Sequence, residues 1–343
     1  MLTLFLWVFF GIAGMALMLK AASEKTIVIT EMRQEQEGYM VNVPQEECAE
    51  DRNLQFRQEE QDTESFRIPL QVGLKAENVI MENRYMDRAL WIHIEGAEAD
   101  FYEENAIYGE IDPVLEGHCE TQENGVILKI DMDQVLEYHS TMEGNTLVIA
   151  FGKPKEWYGQ IVVIDPVGGG SESGIVYGGF SEKELALQVA KLLHKKTLPS
   201  DIRLYFTRME DTEVTREQRL SLTEALEPDL YIRIGACEDK ADKENYGIIS
   251  FYNENYYIPG FGNVELADTV TRDVTLAVSN RAVGLAGAQE DSILNEIKIP
   301  AAQLCMGYMS NPAENELLQQ ESYQEKLAEG IANAILEIYT GKE

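Results

Sequence analysis

The stretch from 160 to 194 reads QIVVIDPVGGGSESGIVYGGFSEKELALQVAKLLH. Its first part, Gln160–Asp165, is a continuous apolar run, which is typical of a strand buried on both faces of a parallel sheet. A glycine-rich turn follows, and Glu182–His194 then repeats leucine and valine at helical spacing. This order of strand, turn and amphipathic helix predicts the first unit of an α/β domain.

The rest of the C-terminal half continues the alternation of strands and helices. The helical segments are long enough to serve as crossover connections between parallel strands. The pattern therefore predicts an α/β fold with a mostly parallel sheet flanked by helices on both faces. The predicted strands are Arg203–Thr207, Leu230–Ile234, Gly247–Tyr252 and Ala301–Met306, and the predicted helices are Glu217–Ala225, Val264–Val278 and Tyr323–Tyr339.

A small β-rich domain is predicted before this block, because short runs rich in Val, Ile and aromatic residues alternate with turn residues. These runs are Phe66–Val72, Leu90–Ile94, Gly125–Ile130 and Thr146–Phe151, and Asp131–His139 is compatible with a short helix or a strand. The sequence thus divides into four predicted segments. They are a signal-anchor (1–22), an acidic linker with short strands (23–65), the β-rich domain (66–155) and the α/β domain (156–343).

The N-terminal run Leu2–Leu19 carries no charged residue. A run of about 18 apolar residues is just long enough to cross a bilayer as a helix. We therefore expect an uncleaved transmembrane signal-anchor, with a cleaved signal peptide as the alternative. The predicted location is the cell membrane, with a single pass and the folded part outside the cytoplasm, or secretion if the signal is cleaved.

The charge balance limits the possible partners. With 28 Lys+Arg against 60 Asp+Glu, the formal net charge is −32. Such a surface repels the phosphate backbone, so nucleic acid is excluded as an expected partner. The four cysteines, Cys48, Cys119, Cys237 and Cys305, are widely spaced and form no CxxC pair, so a zinc knuckle is not expected.

Six motifs between about 160 and 340 resemble, in order and spacing, those of the zinc-dependent N-acetylmuramoyl-L-alanine amidases of the type 3 family. That family cuts the bond between muramic acid and the stem peptide of peptidoglycan, so the resemblance implies an α/β fold and a cell-wall function. The motifs are IDPVGGGSESG (164–174), GGFSEKELALQVAKLL (178–193), LYFTRMEDTEVTREQR (204–219), PDLYIRIGAC (228–237), IPAAQLCMGYMSNPAENELL (299–318) and YQEKLAEGIANAI (323–335).

The resemblance also implies where the family's chemistry would lie. Family members hold one Zn²⁺ with two His and one Glu, and a second Glu is the general base. The two His positions fall on Gly168 and Gly235, the ligand Glu falls on Glu182, and the general base falls on Cys305. Only one of these positions keeps its side chain, so we expect a degenerate site with no catalytic residues and no zinc.

Cys237 lies near this predicted site and leaves three alternatives open. Cys237 and Cys305 could be buried thiols, could form a disulfide in place of the metal, or could rebuild a metal site with Glu182, since thiolate is a good zinc ligand. The resemblance further implies structural roles for Asp165, Arg208 and Asp211.

The β-rich block, about residues 66–152, weakly resembles the AMIN-type domains that precede some of these amidases, which implies a role in binding peptidoglycan or in localisation. The resemblance is carried by RALWIHIEGAEADF (88–101), GVILKIDMDQVLEYHS (125–140) and NTLVIAFG (145–152). The chain is therefore expected to be a catalytically inactive, amidase-like envelope protein. Its expected partners are peptidoglycan or an envelope protein, and the membrane through the N-terminal helix. The alternatives are an active amidase with a rebuilt metal site, or a structural module of an envelope complex.

Overall fold

The computed structural model describes residues 26–28, 52–58 and 64–341. The chain divides into two compact units, residues 1–154 and 155–343, called here the β-rich unit and the α/β unit. The predicted transmembrane run Leu2–Leu19 lies outside the described residues. None of the helices that are described is both long and apolar enough to cross a membrane.

The β-rich unit contains two sheets. The first has the order β1-β10-β11-β4-β7-β3 and the second has the order β2-β8-β9-β6-β5. All neighbouring strands are antiparallel except β3 and β7. The strands are β1 (Thr26–Val28), β2 (Arg52–Asn53), β3 (Phe56–Gln58), β4 (Ser65–Pro69), β5 (Val79–Arg84), β6 (Ala89–Glu95), β7 (Ile107–Gly109), β8 (Val114–Gln122), β9 (Gly125–Met132), β10 (Glu137–Glu143) and β11 (Thr146–Gly152), with helix α1 (Ala99–Glu104) and a 3₁₀ turn at Ala76–Asn78.

Both sheets contribute to one hydrophobic core, so the unit is a β-sandwich. Alternate residues point inward, as the period of two in a strand requires. The first sheet contributes Phe66, Ile68, Leu147 and Ile149, and the second contributes Leu90, Ile92, Leu128 and Ile130. The four strands predicted for this unit are confirmed, but β5, β7 and β8 were missed. Charged residues interrupt the apolar pattern of β5 and β8, and β7 is only three residues long.

Two uncertain segments of the sequence acquire a definite place in this unit. The described parts of the predicted linker 23–65 belong to the two sheets: β1 pairs with β10, β2 with β8 and β3 with β7, and Ser65 begins β4. The ambiguous segment Asp131–His139 contains the end of β9 and the start of β10, with no helix between them.

The α/β unit is built on one six-stranded sheet with the order β15-β12-β16-β19-β17-β18. Its strands are β12 (Gln160–Pro166), β15 (Ile202–Phe206), β16 (Leu230–Cys237), β17 (Ile248–Tyr252), β18 (Ala282–Gly287) and β19 (Ala301–Tyr308), and β13 (Val176–Tyr177) and β14 (Phe180–Ser181) form a separate hairpin. The helices are α2 (Pro154–Trp157), α3 (Glu182–His194), α4 (Arg216–Leu226), α5 (Asn263–Val278), α6 (Pro312–Leu318) and α7 (Glu321–Thr340), with a 3₁₀ turn at Ile293–Asn295.

The sheet is mostly parallel, as predicted, but it is not wholly so. Strands β15, β12, β16 and β19 are parallel, whereas β17 runs antiparallel to β19 and carries β18 parallel to itself. No helix separates β16 from β17 along the chain. A parallel return needs a long crossover, so this short connection produces a reversed strand.

Helices cover both faces of the sheet. On one face, Val162, Ile164 and Ile232 belong to a core that includes buried residues of α3, α5 and α7. Asp165 lies an odd number of residues from Val162 and Ile164 on β12, so its side chain points to the other face of the sheet. There it contacts Arg219 of α4. The second face is therefore covered by α4 and carries polar groups, which places the predicted site on that side.

Candidate functional site

The predicted site lies at the carboxyl ends of β12, β16 and β19, where open α/β sheets bind ligands. Gly235 and Cys305 are register partners on β16 and β19. Glu182, the first residue of α3, reaches the same point because its carboxylate contacts Ala236. Gly168 follows the end of β12, and a Cβ there would lie 3.0 Å from Lys183 Cβ. The structure therefore brings the four matched positions to one region.

The glycine-rich turn after β12 is held by two buried arginines. Gly168, Gly169 and Gly170 have φ of 69°, 125° and 55°, which side chains other than glycine rarely adopt. Arg208 donates to the carbonyls of Pro166 (3.2 Å) and Val167 (2.7 Å). Arg219 donates to the carbonyl of Gly168 (2.8 Å). These bonds satisfy carbonyl groups that the turn leaves unpaired.

Arg208 and Asp211, predicted to have structural roles, lie at this turn. Asp211 accepts from the backbone N–H of Gly170 at 3.0 Å and pairs with Lys183 at 2.7 Å. Burial, together with the nearby charge of Arg219, lowers the pKa of Arg208 to about 10. The turn is thus held by residues that follow β15 and by Lys183 of α3.

Asp165, the one acidic residue of β12, is fully buried and lies at the centre of an ion-pair cluster. It forms ion pairs with Arg219 and Arg233, and it accepts hydrogen bonds from Thr207 Oγ1 (2.6 Å) and the Tyr231 hydroxyl (2.5 Å). Burial alone would raise the pKa of Asp165, but the two guanidinium groups and the hydroxyl donors outweigh it and hold the pKa below its ordinary value. Asp165 is therefore an anion at neutral pH.

Glu182 is positioned by a helix cap. Ser181 and Glu184 form a capping box, in which each side chain accepts a bond from the other residue's backbone N–H. This cap starts α3 at Glu182 and directs its side chain toward β16. Glu182 Oε1 accepts the N–H of Ala236 at 2.8 Å, and Oε2 accepts the N–H of Ile175 at 3.1 Å. Both carboxylate oxygens are therefore occupied by backbone donors.

Burial raises the pKa of Glu182, although these two backbone bonds oppose the shift. The carboxylate also closes the space next to Gly235. A Cβ at Gly235 would lie 2.5 Å from Glu182 Oε1 and 3.0 Å from a Val167 methyl. The Glu182 carboxylate thus fills the space beside Gly235, the position that the resemblance matches to a family histidine.

Cys237 and Cys305 form a disulfide. Their Cα atoms are 5.6 Å apart on the adjacent strands β16 and β19, a usual separation for such a bond. Of the three alternatives left open by the sequence, the structure contains the disulfide. Cys119 is a free, buried cysteine of the β-rich unit, and Cys48 lies outside the described residues.

The residues present do not fit a catalytic zinc ion. Zinc needs three protein ligands and one open position. At the four matched positions, two glycines offer no donor, Cys305 is in a disulfide, and the Glu182 oxygens hold backbone N–H groups. Within residues 26–28, 52–58 and 64–341, no group of three or more His, Cys, Asp and Glu residues could hold a metal ion.

A cavity of about 700 Å³ opens on this face of the sheet. Arg233, Gln303 and Phe251 are half-buried on its floor, and Cys237 also contributes to the lining. Four exposed carboxylates surround them: Glu172, Glu213, Glu238 and Asp291. Sequence reasoning missed Arg233 and Arg219. The available signal was the single charge inside the apolar strand LYIRIGAC (230–237).

We predict that Glu182→Gln lowers the free energy of unfolding by about 1–3 kcal/mol, because an amide cannot accept hydrogen bonds from both N–H groups. The difference in unfolding free energy between the parent and Glu182→Gln should shrink as pH rises from 5 to 7.5. A raised carboxyl pKa means that the folded state binds more protons than the unfolded state at pH values between the ordinary glutamate pKa and the raised one, so the parent loses stability as pH rises through that interval. Glutamine does not titrate.

Urea unfolding of both proteins at the two pH values measures this difference, with Glu325→Gln on the exposed side of α7 as the matched control. A Glu182→Gln deficit that stays constant or grows with pH would contradict the raised pKa of this carboxyl group, and the absence of any deficit would contradict its role as the acceptor of two N–H groups.

A family profile described as N-acetylmuramoyl-L-alanine amidase matches residues 162–337, just over half of the chain. The germination-specific N-acetylmuramoyl-L-alanine amidase of Bacillus subtilis is 27% identical over 198 residues, covering 54% of this chain and 81% of the relative. The putative amidase YrvJ of the same organism is 33% identical over 177 residues, but the match covers 51% of this chain and only 32% of YrvJ.

Among solved structures, an N-acetylmuramoyl-L-alanine amidase from Clostridium difficile 630 is 29% identical. The match covers 54% of this chain and 98% of that structure, with a TM-score of 0.48. The catalytic domain of CwlV from Paenibacillus polymyxa is 25% identical, with coverages of 53% and 99% and a TM-score of 0.47.

Proposed function

Because this chain belongs to the N-acetylmuramoyl-L-alanine amidase family, we propose that it is a non-hydrolytic, peptidoglycan-directed protein of the cell envelope. In this proposal, the chain binds peptidoglycan or a partner in wall remodelling and does not cleave the amide bond. The observation that carries the proposal is the state of Glu182, whose two carboxylate oxygens hold the N–H groups of Ala236 and Ile175.

Hydrolysis of the amide bond would require both a bound metal ion and a general base. A zinc-bound water attacks the scissile amide only when three ligands fix the metal and a base takes the proton. Turning Glu182 toward a metal would leave two backbone N–H groups without acceptors, at a cost of about 1–3 kcal/mol for each buried group. Gly168 and Gly235 would supply no compensating donor. The folded cavity, however, remains available for binding.

The second candidate is an active amidase with a metal site rebuilt from Glu182, Cys237 and Cys305. Zinc binds the thiolate form of cysteine. The sulfur atoms of Cys237 and Cys305 are joined to one another, so neither is a thiolate. This alternative would therefore need reduction of the disulfide before any metal could bind, and we favour the non-hydrolytic function.

Purified peptidoglycan distinguishes the two candidates. We predict that the full chain, supplied with zinc, sediments with insoluble peptidoglycan but releases no stem peptide, and that it contains far less than one equivalent of zinc by emission spectroscopy. An active amidase of the family run in parallel is the positive control. Release of stem peptide by the parent, abolished in Glu182→Ala, would establish the rebuilt active site instead.

We further propose that this function is exercised outside the cytoplasmic membrane, with the chain anchored by Leu2–Leu19 or secreted. The apolar run and the wall-directed family support this location. Protease added to intact spheroplasts tests it, since an exposed chain is degraded while a cytosolic marker survives. A pull-down from envelope fractions addresses the protein partner, with the Glu182→Ala variant as a comparison.

A further inference from the structure

The region beneath the cavity holds more positive than negative charge. Three guanidinium groups, those of Arg208, Arg219 and Arg233, are buried or nearly so there, and Asp165 is the acid with which two of them pair. Arg208 donates to backbone carbonyls, which carry no net charge. Even with Glu182 ionised, three cations face two anions. Buried charge of this kind favours an added anion.

Arg233 is the member of this group that is best placed to meet a ligand. In the sheet, Arg233 is the register partner of both Asp165 and Gln303, and Gln303 is in turn the partner of Phe251. Register partners share a face, so the Arg233 guanidinium lies between a carboxylate and an amide. Arg233 Nη1 pairs with Asp165 on the buried side, and 16% of the side chain remains exposed on the cavity side.

Arg219 is less available, although it also lines the cavity. Its N–H groups donate to Asp165, to Thr207 and to the carbonyls of Val214, Pro166 and Gly168, and only 3% of its side chain is exposed. The guanidinium fork of Arg233 can pair with a second carboxylate in a bidentate arrangement. The neighbouring Gln303 amide offers further N–H donors to the same group.

The rim of the cavity selects among anions. Glu172 and Asp291 are exposed at the rim, together with Glu213 and Glu238. These carboxylates repel polyanions and attract N–H or ammonium groups, so a single carboxylate at the floor with nitrogen groups toward the rim is the best match. A volume of about 700 Å³ suits a small organic ligand.

We propose that Arg233 makes this cavity a carboxylate-binding site whose ligand is a short peptide with a free terminal carboxylate. The inference rests on the proposed function, because stem peptides of the wall supply such an end. The carboxylate of the peptide binds Arg233 and Gln303 on the floor of the cavity. The ring of Phe251 contacts apolar atoms of the peptide, and the peptide nitrogens face the carboxylates at the rim.

The test compares two forms of one probe on the full chain, purified in detergent. A short synthetic peptide whose only carboxylate is its C-terminus is titrated by calorimetry as the free acid and as the C-terminal primary amide. We expect the amidated peptide to bind at least tenfold more weakly. Equal binding of the two forms, or no binding of either, would overturn the inference without any variant being needed.

Variants then assign the effect to Arg233. Arg233→Gln should remove the preference for the acid, and Gln303→Ala, which leaves the ion pair with Asp165 intact, should reduce it. Arg272→Gln is the matched control, because Arg272 pairs with Glu337 and does not line the cavity, and it should keep the full preference. An unchanged preference in both Arg233→Gln and Gln303→Ala would assign carboxylate binding elsewhere.

Sedimentation with insoluble peptidoglycan separates this inference from the proposed function. Binding to peptidoglycan with no preference between acid and amide would leave the proposed function standing and remove the carboxylate site. Binding of the free acid without sedimentation would support the carboxylate site and remove peptidoglycan as the partner.

Discussion

Asp165→Asn should lower the free energy of unfolding of the α/β unit by about 3–5 kcal/mol, the usual cost of removing one partner from a buried ion pair. The change leaves Arg219 and Arg233 without their shared anion, while 3% and 16% of their side chains are exposed. Urea titration followed by amide hydrogen exchange in β12 and β16 reports on this unit alone.

The pH dependence gives a second check on Asp165. Its pKa is lower in the folded state than in the unfolded state, so its stabilising effect is present above the ordinary pKa of aspartate and is lost as pH falls through the folded value. The deficit of Asp165→Asn should therefore disappear in strong acid. Glu329→Gln, which breaks an exposed pair with Lys196, is the control and should cost less than about 1 kcal/mol. Equal losses in the two variants would contradict the buried cluster.

Restoring the family histidines should damage the fold without creating a zinc site. Gly168 has a φ of 69°, and a side chain there costs about 1–2 kcal/mol in the left-handed region. Its Cβ would also lie 2.5 Å from the Glu172 carbonyl oxygen. At Gly235, overpacking against Glu182 adds about 1–3 kcal/mol. We therefore expect the double variant Gly168→His/Gly235→His to lose about 3 kcal/mol or more.

Zinc content and urea unfolding of the double variant measure both effects. Gly144→His is the matched control, since Gly144 has a φ of 62° but a Cβ there would meet no atom within 4 Å. Only the conformational cost of about 1–2 kcal/mol applies to this control. A double variant that is as stable as the parent and binds one zinc would show that Glu182 does not block the space beside Gly235.

Local sequence patterns were sufficient for much of the α/β unit. Helix α3 spans Glu182–His194 as predicted, because the apolar residues repeat at helical spacing and Ser181 caps the helix. The apolar run of β12 likewise predicted a central strand. Strand β18 was missed, since its sequence AVGLAG has two glycines and no alternation, and its place at the sheet edge depends on β17.

The sequence alone determined which side chains stand at the four matched positions, and the order of the motifs predicted that these positions would meet. It could not determine what the side chains do there. The occupation of both Glu182 oxygens depends on two backbone N–H groups. That of Ile175 lies only seven residues before Glu182, but that of Ala236 lies on β16, which only the folded sheet brings to the start of α3. The bond between Cys237 and Cys305 similarly depends on the pairing of β16 with β19.

Arg233 is the clearest case of a role that only the tertiary structure decided. In the sequence it is one charge in an apolar strand. In the fold, the sheet register places it between Asp165 and Gln303, so that one side is neutralised by a buried ion pair while the other lines the cavity. Periodicity specifies which face of a strand a residue occupies, but the neighbours on that face come from other strands, and only the packed sheet brings them together.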